Sequence, residues 1–328
     1  MEHVKAYRIY NENNKIEGRI GEVPVADIGR GEVVFKTAYS SVNFKDALAA
    51  TGVGGKIIRN YPLIGGIDAA GTVLSSGDPR FKPGDEVICT SYDMGVAHDG
   101  GYAEICRVPA DWVVPLPRGL TLFDAMALGT AGYTAGLAVE LLELNGMAPN
   151  NGKVLVNGAT GGVASLAIDM LAAKGYSVTA VTGKAAEHDF LRSLGAAEIL
   201  DRAQIDFGSR PLEKPLWAAA FDSVGGEQLA WLTRTLQPQG VVASFGNAGG
   251  IDLKTTVLPF ILRGVRLIGV DSAATPMPLR RRVWGRLASD LKPRHLAAIA
   301  QVIGLTDLTA YFGRMLKGGT RGRAVVRI

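Results

Sequence analysis

A short apolar run near the middle of the chain leads directly into a cluster of glycines. The run, Lys153-Val154-Leu155-Val156-Asn157, has the length and composition of a buried strand, and Gly158-Ala159-Thr160-Gly161-Gly162 follows it. Beyond the glycines, apolar residues recur at helical spacing, namely Val163, Leu166, Ala167, Met170 and Leu171. The pattern therefore predicts a strand, a tight turn and a helix in immediate succession.

A unit of this kind suits the pyrophosphate of a dinucleotide. Glycines allow close backbone approach, and the free N–H groups and dipole at a helix N-terminus attract phosphates. Ala164 stands where a bulkier side chain would push the helix away from the strand. The alternative is a glycine turn that binds nothing, but the flanking strand, helix and second strand argue against it.

Strands and helices continue to alternate on the C-terminal side of this loop. Apolar runs at 176–181, 218–222, 241–245 and 266–270 are strand-like, with helix-length segments between several of them. Such alternation demands parallel strands joined by right-handed crossovers. The sequence thus predicts an α/β fold with a Rossmann doubly wound parallel sheet.

The rest of the chain has a different texture. Up to about residue 122, short β-rich runs lie between glycines and prolines, which indicates a compact β-barrel-like lobe. A length of 328 residues exceeds what one core usually fills. We predict a first lobe at 1–123, a nucleotide-binding lobe at 124–270, and a return segment at 271–328 whose closing strand, 323–327, rejoins the first lobe.

Charge and cysteine content limit the classes of partner. The net charge is only +4 and the basic residues are scattered, so we expect no nucleic-acid partner. Two separated cysteines, Cys89 and Cys106, suit a reducing compartment. The N-terminus lacks a signal pattern, and no uninterrupted apolar stretch reaches membrane-spanning length, so we expect a cytoplasmic protein with no membrane partner.

The end of the second strand of the nucleotide lobe indicates which cofactor is bound. A carboxylate there would accept the ribose hydroxyls of NAD, but the strand ends Thr182-Gly183-Lys184. A hydroxyl and a cation favour the 2′-phosphate of NADPH, and Arg202 supplies a possible second cation. For Lys184 alone, a solvated loop cation is the commoner explanation, but its position directly after the strand favours phosphate binding.

Taken together, these features resemble the medium-chain dehydrogenase/reductase superfamily, in which a GroES-like β-barrel catalytic domain is interrupted by the Rossmann domain. The segment 61–73 resembles the superfamily's Gly-His-Glu segment, and 81–87 resembles the turn that follows it. The zinc-ligand positions of this pattern hold Asn43, Ile67 and Thr130. The four histidines are far apart, and Asp68 alone cannot hold a catalytic zinc, so we expect no metal.

Five longer strings are closer still to the zinc-independent acryloyl-CoA reductases and their quinone-oxidoreductase relatives. These strings are 43–48, 55–60, 210–214, 259–263 and 269–272. The resemblance implies cofactor contacts at Phe44, Thr160, Gly161, Gly162, Val163, Thr182, Gly183, Lys184, Arg202, Asn247, Ile261 and Ser272. Relatives commonly carry tyrosine where Phe44 stands, so we expect water or a neighbouring polar group to supply the proton.

Reduction of an unsaturated thioester places hydride on the β-carbon and a proton on the α-carbon. Positioning supplies up to roughly 7 to 11 kcal/mol of the barrier reduction, and an enolate-directed donor roughly 3 to 4 kcal/mol. Candidate catalytic residues are Asn43, Lys45, Asp46 and Arg323. The alternatives are solvated charges at a helix start for Lys45 and Asp46, and a strand-edge cation for Arg323.

The sequence allows two interpretations of the arginine run and three of the function. The arginine run 280–282, with Arg286 one turn later, either meets the phosphates of coenzyme A or forms a solvated helix face. NADPH-dependent reduction of acryloyl-CoA to propanoyl-CoA is the first hypothesis; a quinone oxidoreductase and a non-enzymatic NADPH-binding protein are the alternatives. The resemblance also implies a homodimer joined along the edges of the Rossmann sheets.

Overall fold

A computed structural model describes residues 2–53 and 55–328. They form two compact units. Unit 1 contains the described residues up to Ala131, together with Ala273–Arg282 and Leu296–Ile328. Unit 2 contains Gly132–Ser272 and Val283–His295.

The described residues form sixteen β-strands and nine α-helices. The strands are β1 (His3–Glu12), β2 (Lys15–Pro24), β3 (Val33–Ser41), β4 (Leu63–Ile64), β5 (Asp68–Ser76), β6 (Glu86–Thr90), β7 (Ile105–Val108), β8 (Val113–Pro115), β9 (Val154–Val156), β10 (Val178–Thr182), β11 (Glu198–Asp201), β12 (Trp217–Asp222), β13 (Leu236–Ser244), β14 (Arg266–Gly269), β15 (Ala300–Gly304) and β16 (Arg323–Arg327). The helices are α1 (Phe44–Thr51), α2 (Leu122–Leu144), α3 (Gly162–Ala173), α4 (His188–Ser193), α5 (Gly226–Thr235), α6 (Leu258–Arg263), α7 (Met277–Leu287), α8 (Leu296–Ile299) and α9 (Leu308–Leu316).

The sheet of unit 2 has the strand order β11-β10-β9-β12-β13-β14, and all its pairings are parallel. This is the order of dinucleotide-binding Rossmann folds, with the crossover point between β9 and β12. Both strands at that point are almost entirely buried, which explains their continuous apolar runs. The predicted doubly wound sheet is confirmed.

Unit 1 is built from two sheets. One has the order β2-β1-β4, and the other has the order β15-β16-β3-β5-β6-β8, with β7 also paired to β3. The closing strand β16 runs antiparallel to β3, with Val325 opposite Ser41. The last strand of the chain therefore lies beside the strand that leads into α1.

The predicted return segment at 271–328 is divided between the two units. Its middle part, Val283–His295, belongs to unit 2, because Val283, Trp284 and Leu287 are fully buried there. Trp284 stacks on Tyr133 of α2 with ring centroids 6.1 Å apart. Packing on α2 thus keeps the end of α7 and the residues up to His295 in unit 2.

Helix α2 corrects one expectation from the sequence. It is long and apolar enough to cross a membrane, which the sequence reading had not anticipated, but 89% of its most apolar window is buried inside the protein. Its backbone is also broken at Gly129, where φ is 52° and ψ is −155°. It is a core helix in two pieces.

Candidate active site

The break in α2 surrounds a polar cluster in unit 1. A Cβ atom on Gly129 would lie 2.5 Å from both Asp68 Oδ2 and Ser41 Oγ, and 2.7 Å from Arg323 Nη2. Its positive φ is also unfavourable for any other residue. Only glycine at this position lets the polar side chains occupy the broken turn of the helix.

Asp68, the first residue of β5, is the acceptor at the centre of this cluster. Its Oδ2 accepts hydrogen bonds from Ser41 Oγ (2.6 Å), Asn43 Nδ2 (2.7 Å) and the Thr130 N–H (2.9 Å). Its Oδ1 accepts from Thr130 Oγ1 at 2.5 Å. These donors supply the hydrogen bonds that a fully buried carboxylate requires.

Arg323, the first residue of β16, lies on the other side of the helix break. It donates from Nη1 to Val42 O (2.8 Å), from Nη2 to Ser41 Oγ (2.8 Å) and from Nε to Ala127 O (3.2 Å). Its Nη2 is 3.8 Å from Asp68 Oδ2. Burial lowers the pKa of Arg323, and the nearby Asp68 charge opposes that effect.

The charges of Arg323 and Asp68 are opposite to the partial charges of the two helix ends that the break in α2 creates. Arg323 meets a carbonyl near the C-terminus of the first piece, whereas Asp68 accepts from the first N–H of the second piece. Unpaired carbonyls at a helix end favour a cation, and unpaired N–H groups favour an anion. The break in α2 therefore helps to hold an ion pair in the interior of unit 1.

Asn43 joins this cluster to a second buried carboxylate. Its backbone N–H donates to Asp46 Oδ2 at 2.8 Å, its side-chain amide donates to Asp68, and its Oδ1 accepts from Arg323 Nη1 at 3.2 Å. The Ile67 N–H donates to Asp46 Oδ1 at 2.9 Å. Burial, and then the negative charge of Asp68, raise the pKa of Asp46 to about 7.

Tyr102 also contacts this polar cluster. Its hydroxyl donates to the carbonyl of Ser41 at 3.2 Å, and the residue is fully buried. Burial and the carboxylates of Asp46 and Asp68 raise its pKa well above the ordinary tyrosine value. It therefore keeps its proton at neutral pH.

Three of the four residues predicted to be catalytic thus lie together: Asn43, Asp46 and Arg323. The fourth, Lys45, points its charge to solvent next to Phe44, which is 47% exposed. The sequence reading missed Ser41, Gly129 and the part played by Thr130. One signal could have found Thr130, because Asn43 and Thr130 both occupy positions that the resemblance brings together in space.

In unit 2, the glycine loop follows β9 as predicted. Gly158 has φ 58°, and a Cβ atom there would clash with the Ser223 hydroxyl. Helix α3 begins at Gly162, and its N-cap residue, Gly161, has no side chain that could accept from the N–H groups of the first turn. The N–H groups of its first turn are thus suited to bind phosphate oxygens.

A buried carboxylate that the sequence reading did not single out fixes the start of this loop. Asp222, at the end of β12, accepts from Asn157 Nδ2 at 2.6 Å and from the Gly225 N–H at 3.0 Å. Asn157 Oδ1 in turn accepts from the Ser223 N–H at 2.7 Å. The two strands at the crossover point are therefore tied together where the loop begins.

The residues predicted to bind the 2′-phosphate lie at the ends of two neighbouring strands. Thr182 on β10 pairs in register with Asp201 on β11, so Lys184 and Arg202 leave the same edge of the sheet. The guanidinium of Arg202 covers Gly183, since a Cβ atom on that glycine would lie 3.2 Å from Nη2. The Lys184 N–H donates to Thr182 Oγ1 at 3.1 Å.

The remaining predicted cofactor residues are placed as follows. Thr160 is buried, Val163 is partly buried, and Asn247 is exposed. Ile261 on α6 is 69% exposed. Ser272 accepts a hydrogen bond from Thr134 Oγ1 at 2.8 Å. Their roles stay predictions.

The arginines of the run 280–282 do not share one exposed face, so the predicted solvated helix face is wrong for Arg280. Arg280 is fully buried and donates to Thr90 O (3.1 Å) and Ala273 O (3.1 Å). Arg286 is paired with Glu140, Glu143 and Asp290. Arg281 and Arg282 are exposed.

Across residues 2–53 and 55–328, no group of three or more His, Cys, Asp and Glu side chains could hold a metal ion. Both cysteines are free and buried. Burial raises the pKa of Cys106 to about 12, so its thiol stays protonated.

Comparison with known proteins gives consistent matches. Residues 29–118 match the family model "Alcohol dehydrogenase GroES-like domain", and residues 162–287 match "Zinc-binding dehydrogenase". The "Acrylyl-CoA reductase AcuI" of Ruegeria pomeroyi is 46% identical over 318 residues, which cover 97% of this chain and 96% of that protein.

Two further relatives have solved structures. The "Putative quinone oxidoreductase YhfP" of Bacillus subtilis is 48% identical over 308 residues, 93% of each chain. Its crystal structure with NAD bound has a TM-score of 0.97 and covers 100% of both chains. The yhdH oxidoreductase of Salmonella enterica, crystallised with NADP, has a TM-score of 0.96 at 45% identity and covers 99% of each chain.

Proposed function

The chain belongs to the acrylyl-CoA reductase and quinone oxidoreductase family of medium-chain dehydrogenases/reductases, and we propose that it reduces the C=C bond of a short α,β-unsaturated acyl-CoA. It is an NADPH-dependent oxidoreductase. Acryloyl-CoA, giving propanoyl-CoA, is the proposed substrate. The name of the Ruegeria pomeroyi relative supports this choice.

The described residues of unit 2 fit the cofactor. The uncapped first turn of α3 is suited to the pyrophosphate, and Thr182, Lys184 and Arg202 are suited to the 2′-phosphate. When bound, NADPH supplies the hydride that the β-carbon of the substrate accepts. The loop needs Gly158, because a side chain at that position would collide with Ser223.

One observation carries the proposal: the carboxyl group of Asp46 is buried in unit 1 and is joined through Asn43 to a second buried carboxylate, Asp68. Burial and the adjacent Asp68 raise the pKa of Asp46 to about 7, so a large fraction of Asp46 is protonated at physiological pH. Because Asp46 is buried and both of its oxygens accept backbone N–H groups, we propose that its proton reaches the α-carbon through water or a neighbouring polar group. Asp46 is thus the proposed proton donor. Phe44, which stands where relatives commonly carry tyrosine, has no proton to donate.

Asp68 and Arg323 are the oppositely charged groups that act on Asp46 in this cluster. Arg323 balances the charge of Asp68 across the broken helix, and Asn43 contacts both carboxylates. The pair is held by four segments of unit 1 that are far apart in sequence. We propose that it fixes the electrostatic environment in which Asp46 releases and regains its proton.

We also propose that the reaction is zinc-independent. Two of the positions that bind zinc in related dehydrogenases hold Asn43 and Thr130, and both donate hydrogen bonds to Asp68. The third holds Ile67, which has no ligand atom. This donor set does not fit a zinc ion, which needs nitrogen, sulfur or carboxylate ligands.

The oligomeric state and cellular location are further proposals. Strand β14 is at an edge of the described sheet, and exposed apolar side chains lie near it in the chain, at Val257 and Leu262. A homodimer that pairs these edges would cover them. Free cysteines and buried α2 support a cytoplasmic location.

Quinone reduction is the second candidate, because the Bacillus subtilis relative is named for it. Purified protein with NADPH would be tested separately with acryloyl-CoA, crotonyl-CoA and a simple quinone, following the absorbance of the reduced cofactor. The proposal expects turnover of acryloyl-CoA with a higher kcat/KM than for the quinone. A preference for the quinone would overturn it, and no turnover with any of the three would favour a protein that only binds NADPH.

A further inference from the structure

We propose that Ser91 is a positioning residue for the reduction, because its hydroxyl holds Thr130 in the orientation that keeps Asp68 in place beside Asp46. The inference rests on the proposed function, since it concerns the same group of side chains in unit 1. Ser91 contacts neither carboxylate in the described hydrogen bonds. It acts through Thr130.

The directions of the hydrogen bonds follow from the groups involved. Thr130 Oγ1 lies 2.5 Å from Asp68 Oδ1, and a carboxylate can only accept, so the hydroxyl hydrogen of Thr130 points to Asp68. Ser91 Oγ lies 2.8 Å from Thr130 Oγ1. Because Thr130 has no second hydroxyl hydrogen, Ser91 must be the donor in that contact. The result is a directed chain from Ser91 through Thr130 to Asp68.

The backbone at Ser91 is strained in a way that serves this contact. Ser91 has φ 64° and Tyr92 has φ 52°, so two consecutive non-glycine residues adopt left-handed conformations. Each such residue is unfavourable by about 1 kcal/mol or more, and the surrounding structure must enforce it. The Ser91 N–H donates to Ile67 O at 2.7 Å, which fixes this residue beside the strand that begins at Asp68.

Arg280 is the group that enforces the turn. Its guanidinium donates to the carbonyl (3.1 Å) and hydroxyl (3.0 Å) of Thr90 and lies 4.3 Å from the centre of the Tyr92 ring. The ring of Trp112 also stacks on the ring of Tyr92, with ring centroids 5.5 Å apart and nearly parallel planes. The residues on both sides of Ser91 are therefore clamped, and its hydroxyl has little freedom to turn away from Thr130.

The expected consequence is electrostatic. The charged or titratable groups that act on Asp46 are Asp68, Tyr102 and Arg323. A hydrogen bond from Thr130 disperses part of the Asp68 charge. Without Ser91, Thr130 can rotate away, Asp68 acts more strongly on Asp46, and Asp46 holds its proton to higher pH.

The test compares Ser91→Ala with Ser75→Ala, which removes an exposed serine hydroxyl from β5 in the same unit. We expect Ser91→Ala to lower kcat for acryloyl-CoA by about 3- to 10-fold, as for loss of one hydrogen bond, with the Kd for NADPH unchanged. We also expect the alkaline limb of the kcat profile to move up by roughly 0.5 pH unit. Ser75→Ala should match the wild type in all three measurements. A Ser91→Ala variant that does the same would overturn the inference.

A double-mutant cycle with Thr130→Val tests whether Ser91 acts through Thr130. Ser91→Ala should cause little further loss of kcat in the Thr130→Val background, because the intermediate hydroxyl is already gone. Fully additive losses would contradict the proposed chain. If Ser91→Ala does not fold, Ser91→Gly removes the same hydroxyl while accepting the left-handed backbone, and the same outcomes apply to it.

An activity-independent measurement separates failure of this inference from failure of the proposed function. The infrared band of the protonated Asp46 carboxyl, identified by its loss in Asp46→Asn, can be titrated in the wild type and in Ser91→Ala. A higher midpoint in Ser91→Ala supports the positioning role even if acryloyl-CoA is not the substrate. Equal midpoints reject it even if acryloyl-CoA is reduced.

Discussion

Thr130 donates to both carboxylate oxygens of Asp68, from its N–H to Oδ2 at 2.9 Å and from its hydroxyl to Oδ1 at 2.5 Å. This two-point contact is possible because the helix is interrupted one residue earlier, at Gly129. In a continuous helix, the N–H of Thr130 would donate to a carbonyl four residues before it. The break thus converts a core helix into part of the polar cluster.

Replacement of Gly129 by alanine should destabilise the protein strongly. Its Cβ would lie 2.5 Å from Asp68 Oδ2 and Ser41 Oγ, and the left-handed backbone adds strain. We expect a loss of about 2 to 5 kcal/mol in the free energy of unfolding, measured by denaturant titration. Gly285→Ala in α7 is the matched control, because nothing lies within 4 Å of its added Cβ, and it should be neutral or stabilising by up to about 1 kcal/mol. Equal effects of the two substitutions would contradict the account of the break.

Asp46→Asn should reduce turnover without weakening the binding of NADPH. The substitution preserves size but removes the carboxyl proton, so kcat for the enoyl-CoA should fall by about 100-fold or more. The alkaline limb near pH 7 should disappear with it, because the pKa of Asp46 is raised to about 7. Asp27→Asn, at an exposed site, serves as the control. Wild-type turnover in Asp46→Asn would remove this residue from the mechanism.

The same carboxyl should make stability depend on pH. Its pKa is about 7 in the folded protein and 3.8 for an ordinary aspartate, so the folded state binds more protons between these values. This contribution is fully present below about pH 4 and is lost as pH rises to about 7. Asp46→Asn should therefore flatten the fall in unfolding free energy between pH 4 and pH 7, as measured by denaturant titration at a series of pH values. A wild-type-like slope in the variant would contradict the raised pKa.

Local sequence patterns were enough to predict the strands and the glycine loop that we propose to bind the phosphates of the cofactor. Apolar strands followed by glycines or cations gave β9, the loop at Gly158 and the end of β10. Strand β15, Ala300–Gly304, escaped prediction because it is a half-exposed edge strand directly after a short helix. The short edge strand β11 was not recognised as a strand for a similar reason.

The polar cluster was only partly predictable for a different physical reason. Asn43 and Asp46 share one helix start, whereas Ser91 and Thr130 meet through contacts that span tens of residues. Serine and threonine occur in so many turns and helix ends that neither stands out in a sequence. In the sequence, Gly129 is only a residue of low helix propensity within an apolar helix. The structure shows that polar side chains occupy the space that a Cβ atom would need.

The arginines of α7 should separate into structural and surface roles. Arg280→Met should lower the free energy of unfolding by about 2 to 4 kcal/mol, because it removes the hydrogen bonds from the guanidinium to the Thr90 carbonyl and hydroxyl and to the Ala273 carbonyl. Arg281→Glu should keep the stability and raise the KM for acryloyl-CoA but not for a quinone, as expected if this exposed cation meets a coenzyme A phosphate. Equal effects on the two KM values would refute the phosphate contact.

Lys184 and Arg202 should distinguish NADPH from NADH. Both follow the carboxyl ends of neighbouring parallel strands, and Arg202 covers Gly183, so the two cations are suited to the same phosphate. Lys184→Ala and Arg202→Ala should each weaken NADPH binding by about 5- to 20-fold in calorimetric titrations, since each removes a charge-assisted contact at a solvent-exposed edge. The Kd for NADH should hardly change, because NADH has no 2′-phosphate. Arg192→Ala, which removes an exposed cation paired with Asp189 on α4, should leave both dissociation constants unchanged. Parallel weakening of NADPH and NADH by Lys184→Ala and Arg202→Ala would mean that these residues contact some other part of the dinucleotide.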